Sequence, residues 1–195
     1  MPHRIAASLV ALHLPQANSP RHTSPVDFVL RLYRSADFDR LWQIDQACFL
    51  PGIAYTQMDL FGFITRRNAI TIVAEFPRPD QDQAKSKPTD IATQPDSIAG
   101  FAIAQPFLKT GRIITLDVLP EARRHGLGSK LVVACEDGVR QRGCKEIYLE
   151  TAVDNEPALN LYQKMGYRIL RTLPGYYHAH GLDAFLLGKA LQAAC

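Results

Sequence analysis

A glycine-containing segment between a predicted strand and a predicted helix places the tightest constraint on how this chain folds. It follows the apolar residues 113–118, leads into the amphipathic residues 129–141, and consists of Arg123, Arg124, His125, Gly126, Leu127, Gly128 and Ser129. The first N–H groups of a helix lack intrahelical partners and carry the positive end of its dipole, and glycine lets a ligand approach the backbone. The segment therefore predicts either a pyrophosphate site or a tight turn before an amphipathic helix.

A second informative block covers residues 149–167 and combines a strand end with a helix. Glu150 ends an apolar strand-like run, where a carboxyl group requires a partner or a wet cleft. Asp154 or Asn155 suits the helix N-cap, and Gly166 suits the C-terminal end of the same helix. Taken alone, Glu150 could be a salt-bridged strand end and Tyr162 a packing residue.

Together, the two blocks resemble the GCN5-related N-acetyltransferases (GNAT family). The signature of that family is Arg/Gln-x-x-Gly-x-Gly/Ala, then a Glu-bearing strand and an Asn-x-x-Ala-x-x-Leu-Tyr-x-x-x-Gly-Phe/Tyr helix. The matching positions here are Arg123, Gly126, Gly128, Glu150, Asn155, Ala158, Leu161, Tyr162, Gly166 and Tyr167. The resemblance extends from about residue 26 to residue 191 and implies a single α/β domain, a mixed central β-sheet flanked by helices on both faces.

The resemblance implies acetyl-CoA as the co-substrate. Backbone amides from Arg124 to Ser129 would hold its pyrophosphate, and the backbone of residues 116–118 would run beside its pantetheine arm. The side chains of Arg123 and Arg124 would add charge near the phosphate, or would be solvated. The cofactor-binding residues implied are Leu116, Asp117, Val118, Arg123, Arg124, His125, Gly126, Leu127, Gly128, Ser129 and Asn155.

The resemblance also implies a direct transfer, with no covalent enzyme intermediate and no metal. Tyr162 would protonate the departing thiolate, and Glu150 would be the general base for the attacking amine. An α-amine with a pKa of about 8 is far more often neutral at pH 7 than a lysine at about 10.4. An N-terminal amine therefore needs only modest help from Glu150.

The spacing within the second block is similar to that of the bacterial ribosomal-protein alanine N-acetyltransferases (RimI type). Twelve positions separate Glu150 from Tyr162, and Tyr176 and Tyr177 follow the next strand. These two tyrosines could line a peptide groove or pack over the sheet. The subfamily usually has Glu-Val-Arg-x-Ser-Asn, but residues 150–155 here read Glu-Thr-Ala-Val-Asp-Asn, so its arginine is missing.

Three functions stay open at this point. The preferred one is a protein N-acetyltransferase acting on the N-terminal α-amine of a protein or peptide. The second is an acetyltransferase for a small amine or a lysine side chain, and the third is a non-catalytic acyl-CoA-binding module. Whether the chain forms a homodimer is left open.

Composition excludes several other classes of function. A chain of 195 residues with 47% hydrophobic content suits one domain, and a net charge of +3 without a basic stripe does not predict a nucleic-acid partner. No apolar run is long enough to span a bilayer. The four cysteines, Cys48, Cys135, Cys144 and Cys195, lack metal-site spacing and favour a reducing cytoplasm. His178 and His180 have no ligand companions and are predicted to be surface residues.

The sequence predicts a domain over residues 25–195 with two flexible parts. Residues 1–24 read as a flexible N-terminal extension rather than a signal peptide, because the apolar region is short and no convincing cleavage site follows. Residues 77–97 are rich in Pro, Asp, Gln and Lys and contain no aromatic residue. They are predicted to form a flexible hairpin insertion, with a folded lid as the alternative.

Local signals predict the helix and strand boundaries. Ser35 is a candidate N-cap for a first helix with Asp37 and Asp39 in its first turn, and Thr56 with Asp59 resembles a capping box for a second helix. Residues 98–107 read as a strand interrupted at Pro106. Closing strands are predicted over residues 167–173 and 183–191.

Overall fold

A seven-stranded sheet forms the centre of the molecule in a computed structural model that describes residues 26–77 and 97–192. Its strands are β1 (Val29–Leu32), β2 (Ile70–Glu75), β3 (Ile98–Phe107), β4 (Thr110–Val118), β5 (Glu146–Ala152), β6 (Arg168–Tyr177) and β7 (Leu182–Ala190). The spatial order is β1-β2-β3-β4-β5-β7-β6, and neighbours are antiparallel except for β4 and β5, which are parallel. The predicted extension over residues 1–24 and nearly all of the 77–97 insertion lie outside the described residues.

Helices cover both faces of this sheet, as the sequence predicted. They are α1 (Phe38–Cys48), α2 (Gln57–Thr65), α3 (Leu127–Gln141) and α4 (Glu156–Lys164). A Cβ at Gly111 of β4 would lie 2.8 Å from Val139 Cγ2, so this position faces α3. Because side chains alternate along a strand, Arg112 faces the opposite side, where α2 ends. Both sets of β2 side chains are buried, which requires cover on each face.

The predicted helix starts at Thr56 and Asn155 are confirmed by side-chain caps. The Thr56 hydroxyl accepts a hydrogen bond from the Asp59 N–H at 3.1 Å and donates one to the Asp59 carboxylate at 2.7 Å. Asn155 Oδ1 accepts from the Ala158 N–H at 3.3 Å and begins α4. Each cap satisfies a backbone donor that the helix itself leaves unpaired.

The predicted N-cap at Ser35 is wrong. Residues Ser35–Asp37 form a 3₁₀ turn, and α1 begins after it at Phe38. The Asp37 carboxylate is buried and accepts hydrogen bonds from both terminal nitrogens of Arg31, at 2.7 and 2.9 Å, and from the Arg34 N–H at 2.7 Å. Arg31 also donates to Glu75 at 2.7 Å. The ion pairs draw Asp37 inward, so it connects β1 to α1 instead of lying in an exposed first turn.

The predicted interruption at Pro106 is also wrong, since β3 continues to Phe107. Pro106 lies opposite Gly111 of β4, whereas the pairing of β3 with β2 already ends at Ala104. The missing N–H of Pro106 therefore costs no bond to β2. The closing strand β6 runs to Tyr177, four residues past its predicted end, and α3 begins at Leu127, two residues before its predicted start.

Three cysteines are small core residues. Cys48, Cys135 and Cys144 are buried free thiols, whereas Cys195 lies outside the described residues. Burial raises the pKa of both Cys48 and Cys135 to about 12. These two thiols are therefore protonated at neutral pH and are poor nucleophiles. Within residues 26–77 and 97–192, no helix has the length and apolar character needed to cross a membrane.

Candidate active site

The central strands β4 and β5 separate after a short paired segment. They pair only where Thr110–Arg112 lies beside Glu146–Tyr148, although β4 continues to Val118 and β5 to Ala152. Beyond that segment, the β5-facing edge of β4 has no strand partner among the described residues. The predicted pantetheine-binding residues Leu116, Asp117 and Val118 lie on this part of β4, beside the opening between the two strands.

The start of α3 lies directly after β4 and a 3₁₀ turn, Pro120–Ala122. Gly126 is the N-cap residue with φ +78°, and Arg124 also has positive φ, +67°. The Lys130 N–H donates a hydrogen bond to the Gly126 carbonyl. The N–H groups of Leu127, Gly128 and Ser129 come before this bond and have no partner within the helix. These amides form the kind of helix start at which an anion is stabilised.

Glycine is favoured at the two positions of this segment for different structural reasons. Gly126 adopts the left-handed conformation that glycine tolerates best. Gly128 packs closely, since a Cβ there would lie 3.2 Å from Leu161 Cδ2 of α4. The second glycine therefore lets α4 approach the first turn of α3.

Arg123 makes a contact that the sequence did not reveal. Its Nε donates a hydrogen bond to the Val118 carbonyl at 2.9 Å, and its Nη2 lies 4.0 Å from Cys48 Sγ. The side chain is half-buried and braces the end of β4, whereas Arg124 is exposed. The predicted contribution of these two arginines to phosphate binding stays a prediction.

Glu150 lies in β5 with its carboxylate almost fully buried and paired with Arg112 of β4. Arg112 Nε donates to Glu150 Oε2 at 3.0 Å, and Arg112 Nη2 lies 2.6 Å from Glu150 Oε1. Arg112 Nη2 also donates to the Tyr176 hydroxyl at 3.4 Å. Burial raises the pKa of Glu150, and the charges of Arg112 and Arg171 oppose that rise. The sequence predicted that Glu150 needs a partner or a wet cleft, but it did not identify Arg112 as that partner. The available signal is a positively charged residue near the start of a mostly apolar strand.

Tyr162 is fully buried on α4. Its hydroxyl has no hydrogen-bond partner among the described residues, and its ring packs on Tyr167 at 5.5 Å between centroids. Burial raises its pKa far above the usual value, with smaller contributions from Cys135, Tyr177 and Asp117. An unpaired buried hydroxyl costs about 1–3 kcal/mol, so a position of this kind calls for a ligand or another explanation.

Glu150 and Tyr162 lie on opposite sides of the separated strands. Glu150 shares its face with Arg112, on the α2 side of the sheet. Tyr162 lies near Cys135 of α3, which contributes to its raised pKa, and α4 packs against the start of α3. A group extending through the opening between β4 and β5 would therefore lie near Glu150 on one side and near Tyr162 on the other.

Asp45 and Asp117 form a buried carboxyl pair next to this opening, which the sequence analysis missed. Asp45 Oδ2 accepts from the Tyr55 N–H at 2.8 Å and Asp117 Oδ1 from the Thr115 hydroxyl at 2.5 Å. Their other oxygens are buried without a partner in the described part of the chain. Burial raises the pKa of Asp45 to about 7, and burial together with the Asp45 charge raises that of Asp117. Both carboxyl groups therefore lose their protons less readily than an exposed aspartate.

The turn between β6 and β7 contacts the connection between α1 and α2. His180 Nε2 lies 2.8 Å from the Pro51 carbonyl oxygen, and a Cβ at Gly52 would lie 3.0 Å from Ala179 Cβ. The side chains of His178 and His180 are exposed, as predicted. Across residues 26–77 and 97–192, no three His, Cys, Asp or Glu side chains are grouped so that they could hold a metal ion.

The two tyrosines at the end of β6 form an edge-to-face pair. The rings of Tyr176 and Tyr177 are 5.1 Å apart, and Tyr177 is buried whereas Tyr176 is half-buried beside Arg112. Of the two alternatives, packing over the sheet therefore applies to Tyr177. Tyr176 lies near the Glu150 carboxylate, where a role in acceptor binding stays a prediction.

Sequence comparison identifies similarity over most of this chain. The sequence model of the Acetyltransferase (GNAT) family matches residues 38–167, which include Glu150, Tyr162 and the segment at the start of α3. The N-alpha-acetyltransferase of Sulfurisphaera tokodaii is 38% identical over 85 residues, covering 43% of this chain and 50% of that protein. The chain thus spans about half the length of the curated relatives it matches.

Structural comparison gives the same fold. The ribosomal-protein-S18-alanine N-acetyltransferase from Escherichia coli superposes with a TM-score of 0.67 at 19% identity, covering 87% of this chain and 97% of that one. The NatC complex bound to Gag peptide and CoA contains a chain with a TM-score of 0.67 at 24% identity, with 85% and 99% covered. At sequence identities this low, the similarity shows a shared fold and no more.

Proposed function

Because this chain belongs to the acetyltransferase (GNAT) family, we propose that it transfers an acetyl group from acetyl-CoA to the N-terminal α-amine of a protein or peptide. The observation that carries the proposal is the separation of β4 and β5, with Glu150 and Tyr162 on its two sides. The relative from Sulfurisphaera tokodaii, named an N-alpha-acetyltransferase, supports an α-amine as acceptor.

The residues around the opening fit acetyl-CoA, which supplies an activated acetyl group as its thioester. The N–H groups at the start of α3 suit a pyrophosphate, and the β4 edge at residues 116–118 suits the amides of the pantetheine arm. The unpaired hydroxyl of buried Tyr162 suits a sulfur atom between the strands. The NatC complex, whose structure holds CoA and a peptide, supports this pair of ligands.

Glu150 acts as the general base in this proposal. Burial raises its pKa, which makes it a stronger base than an exposed glutamate, and Arg112 keeps its carboxylate oriented. It accepts the proton of the acceptor ammonium, directly or through one water molecule. An α-amine with a pKa of about 8 needs less help than a lysine, which favours N-terminal acceptors.

Tyr162 acts as the hydrogen-bond donor and acid for the departing thiolate. The raised pKa of its phenol keeps the proton on the hydroxyl throughout the neutral range. A phenol is a weaker acid than a thiol in water, so the transfer depends on how α4 positions the hydroxyl. The fixed, buried ring provides that positioning, since it packs on Tyr167.

A thiol-release assay with acetyl-CoA tests this proposal. The acceptors are short peptides with free α-amines, the same peptides blocked at the N-terminus but carrying lysine, and common small amines. We expect turnover on the free N-termini. Turnover confined to lysine or small amines would move the assignment to the second function, and cofactor binding without turnover would support a non-catalytic module.

A further inference from the structure

A cleft of about 420 Å³ opens on the α2 face of the sheet, directly beside the Glu150 carboxylate. Its polar lining includes Arg66, Arg67, Gln105, Arg112, Tyr148 and Glu150, and we call it the arginine cleft. Arg66 and Arg67 follow the last turn of α2, and the other residues belong to β3, β4 and β5. The cleft therefore lies where an acceptor reaching Glu150 from this face would extend.

The charges that line the arginine cleft do not balance. Glu150 is its one carboxylate among the described lining residues, and both oxygens of that carboxylate are engaged by Arg112. Arg66 and Arg67 form no ion pair with any described residue. Two positive charges thus remain beside the proposed reaction centre.

Arg66 is held in place by neutral groups. Its Nη1 donates to Gln105 Oε1 at 3.3 Å, and its guanidinium lies 5.8 Å from the centre of the Phe63 ring. Gln105 is fixed in turn, since its Nε2 donates to the Phe63 carbonyl at 3.2 Å. The C-terminal end of α2 favours a cation nearby, but that effect does not require the guanidinium to line a cleft.

The positive charge of Arg66 and Arg67 affects two parts of a bound acceptor. Near the reacting atom it disfavours the ammonium form of the amine, and so favours the neutral nucleophile. Further along the acceptor it favours a carboxylate, which a guanidinium binds with paired, charge-assisted hydrogen bonds. An extended peptide advances about 3.3 Å per residue, so nearby side chains can reach Arg66 and Arg67.

We propose that the arginine cleft selects acceptor peptides that carry an aspartate or glutamate within their first three residues, with Arg66 and Arg67 binding that carboxylate. This inference rests on the proposed function, because it assumes that the acceptor is a peptide N-terminus. Arg112 is already paired with Glu150, so the acceptor carboxylate is bound by Arg66 and Arg67. These two arginines determine specificity and are not catalytic residues.

Steady-state kinetics on matched peptides test this inference. The peptides share their first residue and carry aspartate, asparagine or lysine at the second and third positions. The proteins are the wild type, the double variant Arg66→Gln/Arg67→Gln, and the control Arg142→Gln, which removes one exposed charge at the end of α3 on the other face. Acetyl-CoA affinity and the thermal midpoint are measured for each protein.

We expect the wild type to have a KM about fivefold to tenfold lower for the aspartate peptide than for the asparagine peptide. The double variant should lose this difference through a higher KM for the aspartate peptide, and the Arg142→Gln control should keep the difference. Added salt should weaken the preference in the wild type.

Equal KM values for the aspartate and asparagine peptides in the wild type would overturn the inference, as would a preference that persists in the double variant. Both outcomes include turnover on peptides and so leave the proposed function intact. A complete lack of turnover on every peptide, with acetyl-CoA still bound, would instead contradict the proposed function itself.

Discussion

Arg112 of β4 and Glu150 of β5 form a two-point ion pair at the place where the two strands separate, with N–O distances of 3.0 and 2.6 Å. The pair extends from Arg112, the last paired position of β4, to a residue of β5 that lies beyond the paired segment. It also orients the carboxylate that we propose as the base. The burial of Glu150 and the charge of Arg112 act in opposite directions on the same pKa.

Replacing Glu150 by glutamine should lower kcat by about 100-fold, because the variant keeps the shape of the side chain but cannot accept a proton. The loss should shrink at alkaline pH, where the acceptor α-amine is already neutral. Activity at two pH values checks this, with acetyl-CoA binding as the control. An unchanged kcat near neutral pH would show that Glu150 is not the base.

The variant Arg112→Gln should move the acid limb of the kcat/KM profile to higher pH. Arg112 lowers the pKa of Glu150, so its removal lets burial raise that pKa further, and the base is protonated over a wider range. A pH profile beside that of Arg142→Gln measures the shift. A limb that stays in place or moves to lower pH would contradict the role assigned to this ion pair.

The variant Tyr162→Phe should lose turnover without losing stability. Its hydroxyl is buried and unpaired among the described residues, so removing it should leave the free energy of unfolding unchanged or slightly higher. The loss of the acid should reduce kcat by about 100-fold or more. Denaturant unfolding and single-turnover assays on the same preparation distinguish these effects. A destabilised variant with normal kcat would identify Tyr162 as a packing residue.

The raised pKa of Tyr162 also predicts the alkaline side of the pH profile. Because burial raises that pKa above the ordinary phenol value, the hydroxyl keeps its proton where an exposed tyrosine would ionise. We expect no fall in wild-type kcat as pH rises from about 8 to about 10 while the fold is intact. A fall over that window with unchanged circular dichroism would contradict the assignment.

The variant Asp45→Asn should be more stable than the wild type at alkaline pH. The pKa of Asp45 is raised from 3.8 to about 7 by burial, so its contribution to the free energy of unfolding is full below about pH 4 and is lost as pH rises to about 7. The asparagine variant does not lose stability as pH rises in this way, and its side-chain oxygen can still accept a hydrogen bond from the Tyr55 N–H.

Urea unfolding at about pH 5 and about pH 8 measures this difference, with Asp39→Asn on the exposed side of α1 as the control. The advantage of Asp45→Asn should grow between these two pH values, since one unit of pKa shift corresponds to about 1.4 kcal/mol. An advantage that is independent of pH would show that the pKa of Asp45 is not raised in the folded protein.

The family resemblance supplied the fold class, whereas local signals predicted the segment at the start of α3 and two helix caps. Gly126, Thr56 and Asn155 act through hydrogen bonds and dihedral angles of their own neighbourhoods. The Ser35 prediction failed because Arg31, which is also paired with Glu75 of β2, holds the Asp37 carboxylate in a buried position. Local capping preferences cannot anticipate a buried ion pair.

The missing parts of the candidate site depend on sheet register. Arg112 and Glu150 are 38 positions apart, and they meet because β4 and β5 pair at Arg112 and Tyr148. Asp45 affects the pKa of Asp117 because α1 packs across β4. The family resemblance supplied the roles of Glu150 and Tyr162, but it gave neither these partners nor the arginine cleft.

The most direct test of the proposed function is to locate the acetyl group by mass spectrometry on one peptide that carries both a free α-amine and an internal lysine. Wild type and Tyr162→Phe are compared with acetyl-CoA in excess. We expect acetylation of the α-amine by the wild type and nearly none by the variant, which still binds acetyl-CoA. Acetylation of the lysine alone, or equal acetylation by both proteins, would contradict it.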